Sequence, residues 1–128
     1  MNIDANLLLA NNLTIDNATK TSSAVYVGKG KAYCPLLIDV KLTAAFDADK
    51  KINTIEVITA VDEALTSPVT LCTFTPGAVI DQEKAGQTLM QLALPYQHDN
   101  YVALKFNSTA TPTGGKVFAA IVKDISLR

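Results

Sequence analysis

The segment 35–46, P-L-L-I-D-V-K-L-T-A-A-F, constrains the fold more than any other part of the chain. Leu36, Ile38, Val40, Leu42, Ala44 and Phe46 occupy every second position, with Asp39, Lys41 and Thr43 between them. Successive side chains on a strand point to opposite faces, so this spacing gives one core face and one wet face. Wound into a helix, the same apolar residues would scatter around the cylinder. The period of two therefore predicts a central strand of a half-buried sheet.

Segments of the same character recur along the chain. Strands are expected over 24–27, 52–61, 69–74 and 117–125. Another is expected over 88–94, with Met90, Leu92 and Leu94 inward, and another over 101–106, with Val102, Leu104 and Phe106 on one face. The segment 13–19 is strand-like, and Thr21-Ser22-Ser23 interrupts it. Between strands lie a polar turn at 47–51, a D-E-A-L-T-S-P loop at 62–68 with room for one helical turn, and Pro76-Gly77. The loop 109–115 ends in Gly114-Gly115, a pair able to supply the positive φ angles of a tight hairpin. About eight short strands with no long helix point to an all-β domain: a sandwich, a jelly roll or a small barrel. Ahead of this domain (13–128), residues 1–12 carry Leu7, Leu8 and Leu9 between Asp4 and Asn11-Asn12. That opening reads either as an edge strand or as an arm that docks on a partner.

Composition narrows the function classes. A chain of 128 residues fits one domain, and 48% apolar residues suffice for a core. Charged residues make up 18%, below the usual ~25%, so much of the surface is Asn, Thr, Ser, Gln and Ala. A net charge of −1 argues against nucleic acid as a partner, because phosphate binding needs clustered Lys and Arg. No apolar run approaches the ~20 residues of a membrane span, and the acidic opening does not read as a signal peptide. Cys34 and Cys72 allow one disulfide at most and read more simply as two small buried apolar residues.

Chemistry-bearing constellations are thin. The single histidine, His98, sits in the polar run P-Y-Q-H-D-N with no nucleophile signature nearby, and is expected to face solvent. One His and two separated Cys lack zinc-ligand spacing, so no metal and no cofactor is expected. Asp47-x-Asp49 opens like a calcium loop, but Lys50 and Lys51 stand where oxygen ligands and a glycine belong. Asp62-Glu63 is the one adjacent acidic pair and is expected to face water. Gly28-Lys29-Gly30-Lys31 is a basic tip without the Ser or Thr and following helix of a phosphate cradle. Asn12, Asn17 and Asn107 begin Asn-x-Ser/Thr triplets that read as chance in an Asn- and Thr-rich chain. With no Trp and 6% aromatics, stacking platforms for sugars or single strands are scarce. These residues suit binding better than reaction, and no enzyme activity is expected.

Several blocks, taken in order, resemble the capsid cement (decoration) proteins of tailed bacteriophages, of the type found in a Bordetella phage. They are I-D-A-N-L-L-L-A-N-N at 3–12, Pro35-Leu36 leading into the alternating strand, and D-E-A-L-T-S-P at 62–68. Leu94-Pro95 with Y-V-A-L-K-F at 101–106, and T-G-G-K-V at 113–117 with Ala119-Ala120, follow. The resemblance spans nearly the whole chain, and D-E-A-L-T-S-P is its most specific piece. It implies a jelly-roll-like antiparallel β-sandwich on the exterior of a virion capsid, made in the cytoplasm of a bacterial host. There the protein would bridge major capsid protein subunits and stabilise the shell as a homo-oligomer, a dimer or a trimer. No catalytic residue transfers from that family. Leu7, Leu8 and Leu9 are the candidate partner-contact arm, against the alternative that they belong to the domain's own first strand. The rival reading is a stand-alone β-sandwich module recognising carbohydrate or protein, such as a virion tail accessory.

Overall fold

A computed structural model describes residues 2–27, 36–46, 52–76, 82, 85–93, 98–108 and 115–123, with backbone alone for 2–7, 36, 122 and 123. The basic tip at 28–31, Tyr33, Cys34, the 47–51 turn, Gly77, Leu94 to Tyr96 and Gly114 lie outside the described residues.

The alternating segment becomes a central strand because neighbours flank it on both sides. In chain order the described strands are β1 (Asn2–Thr14), β2 (Thr19–Thr21), β3 (Val25–Tyr26), β4 (Leu36–Ala44), β5 (Ile52–Ala60), β6 (Val69–Phe74), β7 (Thr88–Ala93), β8 (Tyr101–Ser108) and β9 (Lys116–Lys123). One sheet runs β1-β9-β4-β7 and the other β2-β8-β5-β6, with β3 also pairing β8. Every ladder is antiparallel. We call the two sheets A and B in that order.

Across the β4–β9 ladder, Ile38, Val40 and Leu42 face Ile121, Ala119 and Val117, and all six are fully buried. In sheet B, Ile55 and Val57 of β5 pair with Phe106 and Leu104 of β8, again fully buried. The two inner faces close on each other as an all-β antiparallel sandwich. Each of these Val, Leu, Ile and Phe side chains contributes roughly 1.5–3 kcal/mol by leaving water, so alternation along these strands dominates stability.

Several boundaries and facings differ from the sequence expectation. Residues 13 and 14 complete β1 rather than opening a new strand, and Thr21 belongs to β2. On β7, Leu89 and Met90 are both buried, although alternation allows one of them. The register explains this. Val40 pairs Met90 while Lys41 pairs Thr88, so Leu89 is an extra residue in a β-bulge that turns two neighbours inward. Leu71 is the corresponding extra residue on β6.

One end of the sandwich is stitched shut. Beyond β4, Phe46 packs on Gly115 so closely that a Cβ there would overlap its ring. Gly115 is therefore required by close approach, and among the described glycines only Gly86 has positive φ (89°). This replaces the expectation of a left-handed turn at Gly115. The amide of Gln82, 5% exposed, pairs like a peptide with Ile52: Oε1 accepts the Ile52 N–H at 2.8 Å and Nε2 donates to its carbonyl at 2.9 Å. The Gln82 carbonyl takes the Phe46 N–H at 2.9 Å, so one residue ties the end of β4 to the start of β5. Along one side, Ser22 Oγ accepts the Leu104 N–H at 2.9 Å and Ser23 N–H reaches the Leu9 carbonyl at 3.0 Å, joining the sheets.

Candidate interaction surface

The opposite end of sheet B is built differently. Its register runs Tyr26 (β3), Tyr101 (β8), Ala60 (β5), and one step on, Val69 of β6 pairs Thr59. Tyr26 is 62% exposed, Val61 64% and Val69 57%, and these are the exposed large apolar residues among those described. Three strand spacings of ~4.8 Å set the span from β3 to β6 at roughly 14 Å. Tyr26 and Tyr101 meet edge to face with ring centres 5.5 Å apart, which holds the exposed ring in place.

Between the two valines runs the loop D-E-A-L-T-S-P. It contains no helical turn of regular length, but it is fixed by its own hydrogen bonds. Leu65 N–H donates to the Asp62 carbonyl at 3.1 Å, and Asp62 Oδ1 accepts the Thr66 N–H at 2.8 Å. That backbone N–H, joined by the Thr66 side chain, holds the Asp62 carboxyl below the usual carboxylate range. Leu65 and Ser67 sit at φ 58° and 47°, a region that costs L-residues energy and that glycine occupies freely. Such strain persists where the surroundings over-determine it, often at contact sites. Glu63, Ala64, Thr66, Ser67 and Pro68 are all exposed along it.

Further along, the outer face of sheet B carries buried Ile58 and Ala103 and then an internally satisfied polar network. Asn107 Nδ2 donates to Glu56 Oε2 at 2.6 Å and to Thr54 Oγ1 at 3.0 Å, and the Thr70 hydroxyl donates to Glu56 Oε1 at 3.1 Å. Thr19 adds a bond to Asn107 Oδ1 at 3.4 Å, so the network crosses β2, β8, β5 and β6. On the outer face of sheet A, Asp39 is 6% exposed, with Gln91 Nε2 at 3.4 Å and Lys41 Nζ at 4.0 Å.

The remaining candidates fall in separate places. His98, expected to face solvent, is instead 7% exposed, and its Nδ1 bonds the Asp99 carbonyl at 2.9 Å. The backbone around it is pulled onto sheet B, where Asp99 N–H donates to Thr59 Oγ1 and that hydroxyl donates to the Tyr101 carbonyl. Cys72 is a half-buried free thiol whose pKa burial raises, which disfavours thiolate chemistry. Among the described residues no group of His, Cys, Asp and Glu is placed to hold a metal, and no helix is long and apolar enough to cross a membrane.

The three leucines are not brought onto one free face. β1, which holds all of them, is an edge strand of sheet A. Leu8 pairs Ala120 and is half-buried, while Leu9 is 1% exposed in the core. The Leu7 side chain lies outside the described residues. Sequence reasoning passed over Val61 and Val69, although the two valines bracketing a Pro-terminated loop were there to be noticed.

No known family model matches the chain, and no curated protein matches it.

Proposed function

We propose that the protein is a non-enzymatic capsid cement protein of a tailed bacteriophage, acting as a homo-oligomer on the outer surface of the assembled shell. It bridges major capsid protein subunits there and stabilises the shell. One observation carries this reading. The block most specific to the cement resemblance, D-E-A-L-T-S-P, forms a hydrogen-bonded, strained loop between two exposed valines. A fixed apolar projection suits protein contact, since little ordering entropy is spent on docking. The strand order lends further support to a jelly roll: β2 and β3 both pair β8 as one broken strand, leaving two sheets of four. Modest contacts repeated over a lattice bind the assembled shell more tightly than loose subunits, through linkage and multivalency.

Exposed Tyr26 also favours a second reading, a stand-alone module that binds carbohydrate or protein. Co-sedimentation separates the two. The purified protein is mixed with expanded shells and with unexpanded procapsids of the phage that encodes it. Saturable binding to expanded shells, at a stoichiometry matching lattice sites, is the expected result. Binding to neither form, with a hit on a glycan array, transfers the assignment to the module.

A further inference from the structure

Resting on the cement reading, we infer that the 61–69 loop is the shell-facing tip, and that its site on the capsid protein is an apolar depression edged by Lys or Arg. The loop presents Val61, Ala64, Pro68 and Val69 to solvent in one short stretch. Beside them stand two carboxylates, Asp62 and Glu63, with no cation anywhere in 61–69. Glu63 is exposed and makes no hydrogen bond or ion pair among the described residues. Asp62 is kept ionised by the Thr66 N–H at 2.8 Å, so the negative charge is fixed in position as well as in sign. Elsewhere on sheet B, Glu56 accepts hydrogen bonds from Asn107 and Thr70 and stands opposite Lys105 across the ladder, while Lys20 pairs Asp16 at 3.3 Å. Glu63 thus stands among the uncovered apolar residues. An interface that buries apolar anchors and keeps charge at its rim takes the opposite charge on the partner's rim, which sets encounter rate and orientation.

The inference also orders the contributions. Anchors at the centre of an interface carry most of the affinity, whereas an exposed rim ion pair contributes little and is screened by salt. Loss of the valines should therefore weaken binding far more than loss of Glu63.

The test uses the same co-sedimentation with expanded shells. Wild type is compared with Val61→Asn/Val69→Asn, with Glu63→Lys, and with Thr14→Asn/Ala18→Asn at the stitched end, after circular dichroism has shown that each is folded. The expected pattern is a loss of tenfold or more for the valine pair, about three- to fivefold for Glu63→Lys, and no change for the distant pair. Raising salt from 50 to 300 mM should weaken wild type about as much as Glu63→Lys does, and should scarcely affect that variant. Wild type that binds while the valine variant binds equally well overturns the tip assignment and leaves the cement reading standing. Equal loss in the distant pair does the same. A valine variant that changes oligomeric state by light scattering without losing shell binding assigns the tip to a second copy, and also overturns the inference. Wild type that fails to bind any shell overturns the cement reading itself.

Discussion

The two ends of sheet B solve the same problem in opposite ways. At the end where β5 begins, side chains and loops close the sandwich, and Ser108 Oγ is the one buried side-chain polar atom left without a partner among the described residues. A glutamine amide stands in for a missing strand at Ile52, Phe46 covers Gly115, and Ser108 N–H reaches the Ala18 carbonyl at 2.8 Å. At the end where β5 finishes, three large apolar residues are more than half exposed, and the connecting loop holds two residues in a left-handed backbone. The first end stabilises the sandwich, and the second carries strained backbone and uncovered apolar side chains. A chain selected for stability alone would place glycine at 65 or 67 and polar residues at 61 and 69. On the proposed reading, the contrast separates an end that holds the sandwich together from an end available for contact.

The contrast can be broken most severely at Gln82. Gln82→Ala leaves the Ile52 N–H and carbonyl buried without partners, at roughly 1–3 kcal/mol each, so a loss of about 2–6 kcal/mol is expected in urea unfolding. Gln82→Glu keeps the size but removes the donor and aims a carboxylate at the Ile52 carbonyl, so it should be no better than alanine. A loss under about 0.5 kcal/mol for both would show that the amide is dispensable.

Gly115→Ala comes next. The new methyl overlaps the Phe46 ring, and overpacking of this kind costs about 1–3 kcal/mol. Adding Phe46→Leu should recover part of the loss, since the smaller side chain makes room. Strictly additive losses in that double-mutant cycle would mean the two residues do not meet.

At the presenting end the expected sign reverses. Ser67→Gly relieves a positive φ at an exposed position, and a gain of about 0.5–1 kcal/mol in unfolding free energy is expected. A destabilised variant would show that the Ser67 side chain holds the loop.

The smallest effect concerns acid. The folded-state pKa of Asp62 lies below its ordinary value of 3.8. Its contribution to the loop is thus fully present above that ordinary value and fades as pH falls through the lowered folded one. In an NMR titration the Thr66 amide resonance should move together with the Asp62 carboxyl, with a midpoint under 3.8. A midpoint at or above that value would remove the Asp62–Thr66 bond from the account.

Strands that bury one face announced themselves. β4 and β8 alternate cleanly, and β6 begins and ends where Val69 and Phe74 stand between turn residues. Regular alternation is a local property, so a local reading finds it. The bulge at Leu89 is different: its sequence context looks like any alternating strand, and only the partner register reveals the extra residue. Gln82 gives no local signal either, because its role depends on Ile52, 30 positions away. His98 read as a loop residue by its polar neighbours, while its burial follows from the Asp99–Thr59 bond across 40 positions. The Leu7–Leu9 cluster shows the same limit. Composition marked it as sticky, but pairing with β9 decided that Leu9 enters the core.

That pairing of β1 with β9 also has a consequence in time. Asn2 lies against Lys123 and Thr14 against Lys116, so β1 waits for its neighbour while about 100 residues are translated. At the usual 5–20 residues per second the wait is about 5–20 s, long compared with the microseconds in which a hairpin such as β5–β6 forms. Sheet A therefore assembles last, with Leu9 still in water until β9 emerges. Folding of this molecule should be limited by its longest loop closure rather than by any one strand.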